Sequence, residues 1–252
     1  MAGRPPLLSS LDIDIFTSTG DADRGKRTLF VLGGRRPDPE WLADFAGRNS
    51  PEVWAVDSGV ASCRASGFAP SVILGDRDSA SPEDWEWALD LGAKEHLHPR
   101  AKDLTDFQLA LDLWSGGRGK NGGAVLLLSG CFGGRFDHLQ STIYTLAFHE
   151  PIELKKENRR CMIDEVEGVY MLSGGESALF EFNRTPLAIS LLPLTNECRG
   201  VSIAGVRWPL YRETLCRSLP WAISNELAGN KGSTEVSCLD GILAVYWRFG
   251  AE

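Results

Sequence analysis

Residues 71–79 read SVILGDRDS: a short aliphatic run stops on glycine, and two aspartates follow with an arginine between them. A strand-sized apolar run that ends in a polar, Gly-containing turn reads as a buried strand whose last residues face solvent. The same grammar occurs on both sides of this stretch. TLFVL (28–32) runs into Gly33-Gly34, VWAVD (53–57) into Ser58-Gly59, and AVLLLS (124–129) into GCFGGRFDH (130–138). Helical text lies between these runs. PEWLADFAG (39–47) puts Trp41, Leu42, Phe45 and Ala46 at helical spacing. Ser81-Pro82-Glu83-Asp84 supplies a capping hydroxyl, a first-turn proline and acids at the positive end of the dipole. Thr105 and Gln108 spell a capping box that opens a helix through Leu113, and a further helix is expected from Asp137 to Phe148. Strands alternating with helices imply a mainly parallel sheet under covering helices, with ligands bound beyond the carboxyl ends of the strands.

Past residue 151 the text changes. Segments 169–172, 178–182, 187–192, 201–203, 235–237 and 242–247 are short, strand-like and separated by Gly, Pro and Asn turns. Helical periodicity is nearly absent, which predicts an all-β sandwich. The fold class expected is therefore an α/β N-terminal domain followed by an all-β sandwich C-terminal domain. The expected divisions are a loose lead-in at 1–26, an α/β domain at 27–150 and the sandwich at 151–252, with no internal repeat.

The chain of 252 residues carries a net charge of −8, which argues against a nucleic-acid partner, since neutralising phosphates needs a surplus of Lys and Arg. The apolar runs are strand-sized, so no membrane span is expected, and the N-terminal stretch lacks a secretory core. The six cysteines lie far apart with no C-x-x-C pair. They read as reduced, mostly buried thiols of a cytoplasmic protein rather than zinc ligands or disulfides.

The acidic residues carry the first chemistry. Asp57 ends one strand, Asp76 and Asp78 follow another, and Asp103 and Asp106 flank Leu104-Thr105 in KDLTD. Taken singly, a strand-end aspartate is more often a turn or helix cap than a metal ligand. Gathered at one sheet edge, they would repel one another unless a cation sat among them. Mg²⁺ bridging nucleotide phosphates is the usual occupant of an all-oxygen site. GCFGGRFDH adds glycines whose N–H groups can approach an anion, and the Arg135 fork suits phosphate. Neither G-x-x-x-x-G-K-[ST] nor G-x-G-x-x-G is present, so a P-loop or a dinucleotide fingerprint is unsupported.

The order GDRDS, KDLTD, GCFGGRFDH, then GVRWPL (205–210) and SNE (224–226), resembles the thiamine pyrophosphokinase family across residues 28–247. The resemblance implies transfer of the β,γ-diphosphate of ATP to the hydroxyl of thiamine, giving thiamine diphosphate and AMP. It also implies Mg²⁺ as cofactor, ATP and thiamine as substrates, and a homodimer. Asp76 and Asp78 would hold the metal, with Asp103 as a further ligand and Asp106 completing the acidic, catalytic group. Asp57, Lys102, Arg135 and Asp137 would bind ATP, and Trp208, Ser224, Asn225 and Glu226 would form the thiamine pocket. Three departures from the family pattern stand out: Ser58 in place of a glycine, Gln108 where an acid is common, and Arg77 between the two aspartates. Arg77 is expected to add a cation beside the metal site. Two other readings fit part of the pattern: a silent thiamine- or nucleotide-binding protein, and a glycosyltransferase holding a nucleotide sugar through Asp76 and Asp78. Trp208 reads as either a stacking platform or a core residue. Trp41, Trp85, Trp87, Trp114, Trp221 and Trp247 read as core or helix-face residues. His96, His98 and His149 lack metal-ligand spacing.

Overall fold

A computed structural model describes residues 5–18, 26–99, 103–116, 123–149, 158–229 and 232–250. In chain order the elements are β1 (Leu8–Ser9), β2 (Ile13–Thr17), β3 (Lys26–Val31), α1 (Pro39–Asn49), β4 (Glu52–Val56), α2 (Gly59–Ala65), β5 (Val72–Gly75), α3 (Pro82–Asp90), β6 (Lys94–Leu97), α4 (Asp106–Gly116), β7 (Ala124–Ser129) and α5 (Phe136–Phe148). Strands alone follow: β8 (Arg159–Ile163), β9 (Glu167–Ser173), β10 (Glu176–Phe182), β11 (Ala188–Pro193), β12 (Glu197–Ala204), β13 (Leu210–Cys216), β14 (Ser233–Cys238) and β15 (Ile242–Arg248). The chain forms two compact units. One holds Lys26–Asn158 with Met162–Asp164, and the other holds Met1–Gly25, Arg159–Cys161 and Glu165–Glu252.

In the first unit the parallel strands lie in the order β7-β3-β4-β5-β6. The aliphatic runs β5 and β7 are buried along their whole length, as strands covered on both faces must be. Helices α1, α3, α4 and α5 start where the sequence predicts, and α2 is a helix the sequence does not announce. Asp38 accepts from the N–H groups of Glu40 and Trp41 at the head of α1, whose inner face buries Trp41, Leu42 and Phe45. Ser81 caps α3 through the Asp84 N–H. Thr105 and Gln108 bond reciprocally at the head of α4: the Thr105 N–H donates to Gln108 Oε1 at 2.8 Å, and the Gln108 N–H to Thr105 Oγ1 at 3.3 Å. Strand β6, KEHL, was not expected. It is a half-exposed edge whose identity comes only from pairing with β5, and its charges suit an edge.

The second unit is antiparallel. One sheet runs β1-β2-β10-β14-β12-β13, while β11, β15 and β9 pair beside one another. Aromatic rings join the two layers. Phe180 of β10 packs against Tyr170 of β9 and Trp247 of β15, each with centroids 5.9 Å apart. Gly168 makes room for the indole: a Cβ there would stand 2.1 Å from the Trp247 ring. The expected loose lead-in needs correction, because residues 8–9 and 13–17 are strands of this unit. Ile13, Ile15 and Thr17 alternate inward, and β2 pairs with β10 from Ile13↔Phe182 to Thr17↔Ala178. The pairing partner lies more than 150 residues away, so no local signal announces it. β13 also went unread, since LYRETLC is largely exposed and lacks an alternating apolar face.

Candidate active site

Because β3, β4, β5 and β7 are parallel, the turns after them share one sheet edge. The chain builds outward from β3 to β6 on one side and returns to place β7 on the other. The order therefore reverses between β3 and β7, the position where open α/β sheets hold ligands. There the unit opens a cleft of about 970 Å³. Backbone bonds carry the two central turns past the strand ends: Gly34 N–H donates to Gly130 O and Arg35 N–H to Phe132 O, both at 2.6 Å.

Asp57, Asp106, Arg135 and Asp137 line this cleft together. Asp57 is held at a left-handed φ of 52°, and its N–H donates to Leu74 O at 2.8 Å. Gly75 permits the close approach of its carboxylate, since a Cβ there would meet Asp57 Oδ1 at 2.3 Å. Asp57 thus lies against the backbone that leads directly into Asp76. In the next turn the Asp78 N–H donates to Asp76 Oδ1 at 3.0 Å, an Asx turn. Asp76 is half-buried, and Asp78 and Asp103 are exposed. Arg135 grips Asp137 through a fork, with Nε and an Nη at 3.1 and 2.5 Å from the two carboxylate oxygens. That contact holds the Asp137 carboxyl below the usual carboxylate range. An arriving phosphate would have to share or displace this partner. Lys102 lies outside the described residues.

Among the described residues, no three acidic, His or Cys side chains stand close enough to form a cation cage by themselves. Asp76, Asp78 and Asp103 therefore do not gather as one ready ligand group. Arg77, the cation expected beside the carboxylates, has its guanidinium engaged by other elements. Its guanidinium turns to Glu95 on β6 and lies over the Trp85 ring at 5.5 Å. Sequence reading missed several lining residues, among them Ser79, Thr105, His138, Ser141 and Thr142. The last three share one face of α5 by their i, i+3, i+4 spacing, a signal available in the text.

In the β unit, Trp208, Asn225 and Glu226 come together with Arg207. Trp208 N–H donates to Asn225 Oδ1 at 3.1 Å, and Asn225 Nδ2 returns a bond to Trp208 O at 2.7 Å. Arg207 stacks on the Trp208 ring at 4.7 Å and pairs with Glu226 at 3.1 Å. Ser224, at a left-handed φ of 57°, donates its N–H to Ser190 Oγ. Trp208 is 52% exposed, so it is not a core residue. Trp221 was read as core or helix-face and is 47% exposed. Trp41, Trp85, Trp114 and Trp247 are buried. Five of the six cysteines are buried and Cys216 is half-buried, all as free thiols.

Residues 47–158 match the family model described as thiamin pyrophosphokinase, catalytic domain, and residues 181–243 match thiamin pyrophosphokinase, vitamin B1 binding domain. The chain belongs to the thiamin pyrophosphokinase family. It is an enzyme of that family. The first match takes in the turns after β4, β5 and β7, and the second takes in Trp208 and residues 224–226. A thiamine pyrophosphokinase of Bacillus subtilis is 26% identical over 210 residues, covering 82% of this chain and 92% of the relative. The fold is shared with solved structures. The B. subtilis thiamine pyrophosphokinase structure superposes with a TM-score of 0.73 at 22% identity, covering 90% of this chain and all of the other. Yeast thiamin pyrophosphokinase gives 0.69 at 15%, covering 90% and 87%. Among the described residues no helix is long and apolar enough to cross a membrane.

Proposed function

We propose that the chain transfers the β,γ-diphosphate of ATP to the hydroxyl of thiamine, releasing AMP. The observation that carries this reading is the cleft between the turns of β3 and β7. It is rimmed by Asp57, Asp106 and Arg135, in a chain whose family is named for this transfer. The hydroxyl oxygen attacks the β-phosphorus, the bond from that phosphorus to the oxygen bridging to the α-phosphate breaks, and a cleft carboxylate takes the alcohol proton. Arg135 and Lys102 bind phosphate oxygens, and Asp137 orients Arg135 for that contact. The backbone N–H groups of the glycine turn after β7 complete the anion cradle.

The donors present suit Mg²⁺, being hard carboxylate oxygens on neighbouring strand ends. This cation commonly takes one or two carboxylates and fills its remaining positions with phosphate oxygens and water, so a closed cage is unnecessary. Asp76 and Asp78 would hold it, with Asp103 as a further ligand and Asp106 beside them. When bound it would neutralise charge on the transferred group.

Trp208, Ser224, Asn225 and Glu226 form the thiamine site in this reading. An indole face suits an aromatic, cationic ring. Exposed Tyr211, Leu219, Trp221 and Ile223 lie on the same unit as Trp208. A second copy of the chain covers them in the homodimer we propose, in keeping with apolar patches that mark interfaces. Free thiols suit the reducing cytoplasm.

Incubation with ATP, Mg²⁺ and thiamine, followed by chromatography, tests the reaction. Stoichiometric AMP and thiamine diphosphate are expected. ADP with thiamine monophosphate would move the attack to the γ-phosphorus, and thiamine bound without AMP would make the chain a binding protein.

A further inference from the structure

An arginine between two aspartates is a poor neighbour for a divalent cation: a guanidinium beside a carboxylate competes for its oxygens and repels the metal. The structure resolves the conflict with three elements. Arg77 takes a left-handed φ of 64° in the turn after β5, uncommon for a residue with a Cβ. Its guanidinium forms an ion pair with Glu95 on β6 and lies over Trp85 of α3, 5.5 Å from the ring centroid. The Glu95 oxygen that meets Arg77 also accepts the Trp85 Nε1–H at 2.6 Å. Trp85 is buried at 2% exposure, so this acceptor is seated on the core rather than on a mobile surface chain. The side chain between the two aspartates is therefore tied to β6 and α3.

We propose that Glu95, seated on Trp85, is a positioning residue that holds the Arg77 guanidinium off Asp76 and Asp78, so that it does not compete with the nucleotide-bound cation for their oxygens. This rests on the reading that Asp76 and Asp78 meet the cation. It makes a demand that simple stabilisation does not: removing Arg77 must undo the damage caused by losing the Glu95 charge.

Glu95→Gln keeps the shape and an oxygen that still accepts from Trp85, but it removes the negative charge that pairs with Arg77 and so weakens its hold. Mn²⁺ titrations in the presence of a non-hydrolysable ATP analogue, read by electron paramagnetic resonance of free Mn²⁺, compare the wild type, Glu95→Gln and Glu95→Gln/Arg77→Ala. The single variant is expected to bind Mn²⁺ about fivefold or more weakly, because an unpaired guanidinium now faces the carboxylates. The double variant is expected to return to within about twofold of wild type, a non-additivity that marks direct coupling. Melting temperatures of all three should agree closely. Wild-type affinity in Glu95→Gln, or a double variant as weak as the single, would overturn the proposal. An assay for AMP on the same preparations separates the two readings. AMP formation with a flat Mn²⁺ series removes the positioning role alone, and the expected series without AMP removes the reaction alone.

Discussion

The cleft of the α/β unit and the Trp208 face of the β unit are built in opposite ways. In the cleft, backbone bonds place the charges. Gly34 and Arg35 are tied to the turn after β7 and Asp57 is tied to Leu74, while in the turn after β5 the Asp76 carboxylate, itself outside the cleft lining, accepts from the Asp78 N–H. On the β unit, a large ring stands half in solvent and side chains hold it, Arg207 above the indole and Asn225 along its backbone. Rigid strand ends can aim small charged groups at a phosphate, where an error of an ångström is costly. An aromatic platform tolerates more play, because stacking and apolar contact depend weakly on direction.

The largest effect expected separates two tryptophans of the β unit. Trp247 is fully buried against Phe180 and Gly168. Trp247→Ala should cost about 3–5 kcal/mol of stability, read by denaturant or thermal melting. A small loss there would mean that the sandwich core is looser than its packing shows.

The next test addresses the acidic turn after β5. Asp76→Asn should lower turnover at limiting Mg²⁺ by ~100-fold or more while leaving the melting temperature nearly unchanged, since the amide oxygen can still accept from the Asp78 N–H. Near-normal turnover would remove the acidic turn from the reaction and with it the contrast between the regions.

Trp208→Ala sharpens the contrast from the other side. Loss of an exposed stacking face should weaken thiamine binding by about tenfold, leaving ATP binding intact, as calorimetric titration with each ligand would measure. A large drop in melting temperature would instead show the ring acting as structure.

The smallest effect concerns Asp137. Its hydrogen bonds from Arg135 depress the carboxyl below the ordinary 3.8. For a depressed carboxyl, the pair's contribution is present above the unfolded pKa and is lost as pH falls through the folded one. Carbon-13 NMR of the carboxyl should give a midpoint below the ordinary value, and Arg135→Ala should return it. An unshifted wild-type midpoint would show that the fork opens in solution. In that case Arg135 would meet phosphate without first leaving a partner.

Much of this was legible in the residues. The buried runs of β3, β4, β5 and β7, the caps at Ser81 and Thr105, and the order of GDRDS, KDLTD and GCFGGRFDH are local signals, because apolar periodicity, capping and glycine turns act over a few residues. They determined the alternating α/β text, the strand-rich tail and the acidic turns. Tertiary structure alone decided the rest. Ile13, Ile15 and Thr17 became part of the sandwich only by pairing with β10, and KEHL became a strand only as the edge beside β5. Trp208 and Trp221 emerged exposed where Trp247 was buried, a difference that depends on which neighbours cover each ring. Arg77 reads in the sequence as a cation beside two carboxylates. It meets Glu95 and Trp85 only because β6 and α3 bring them to it. Such pairings are set by contacts between elements brought together by folding, and no window of neighbouring residues contains them.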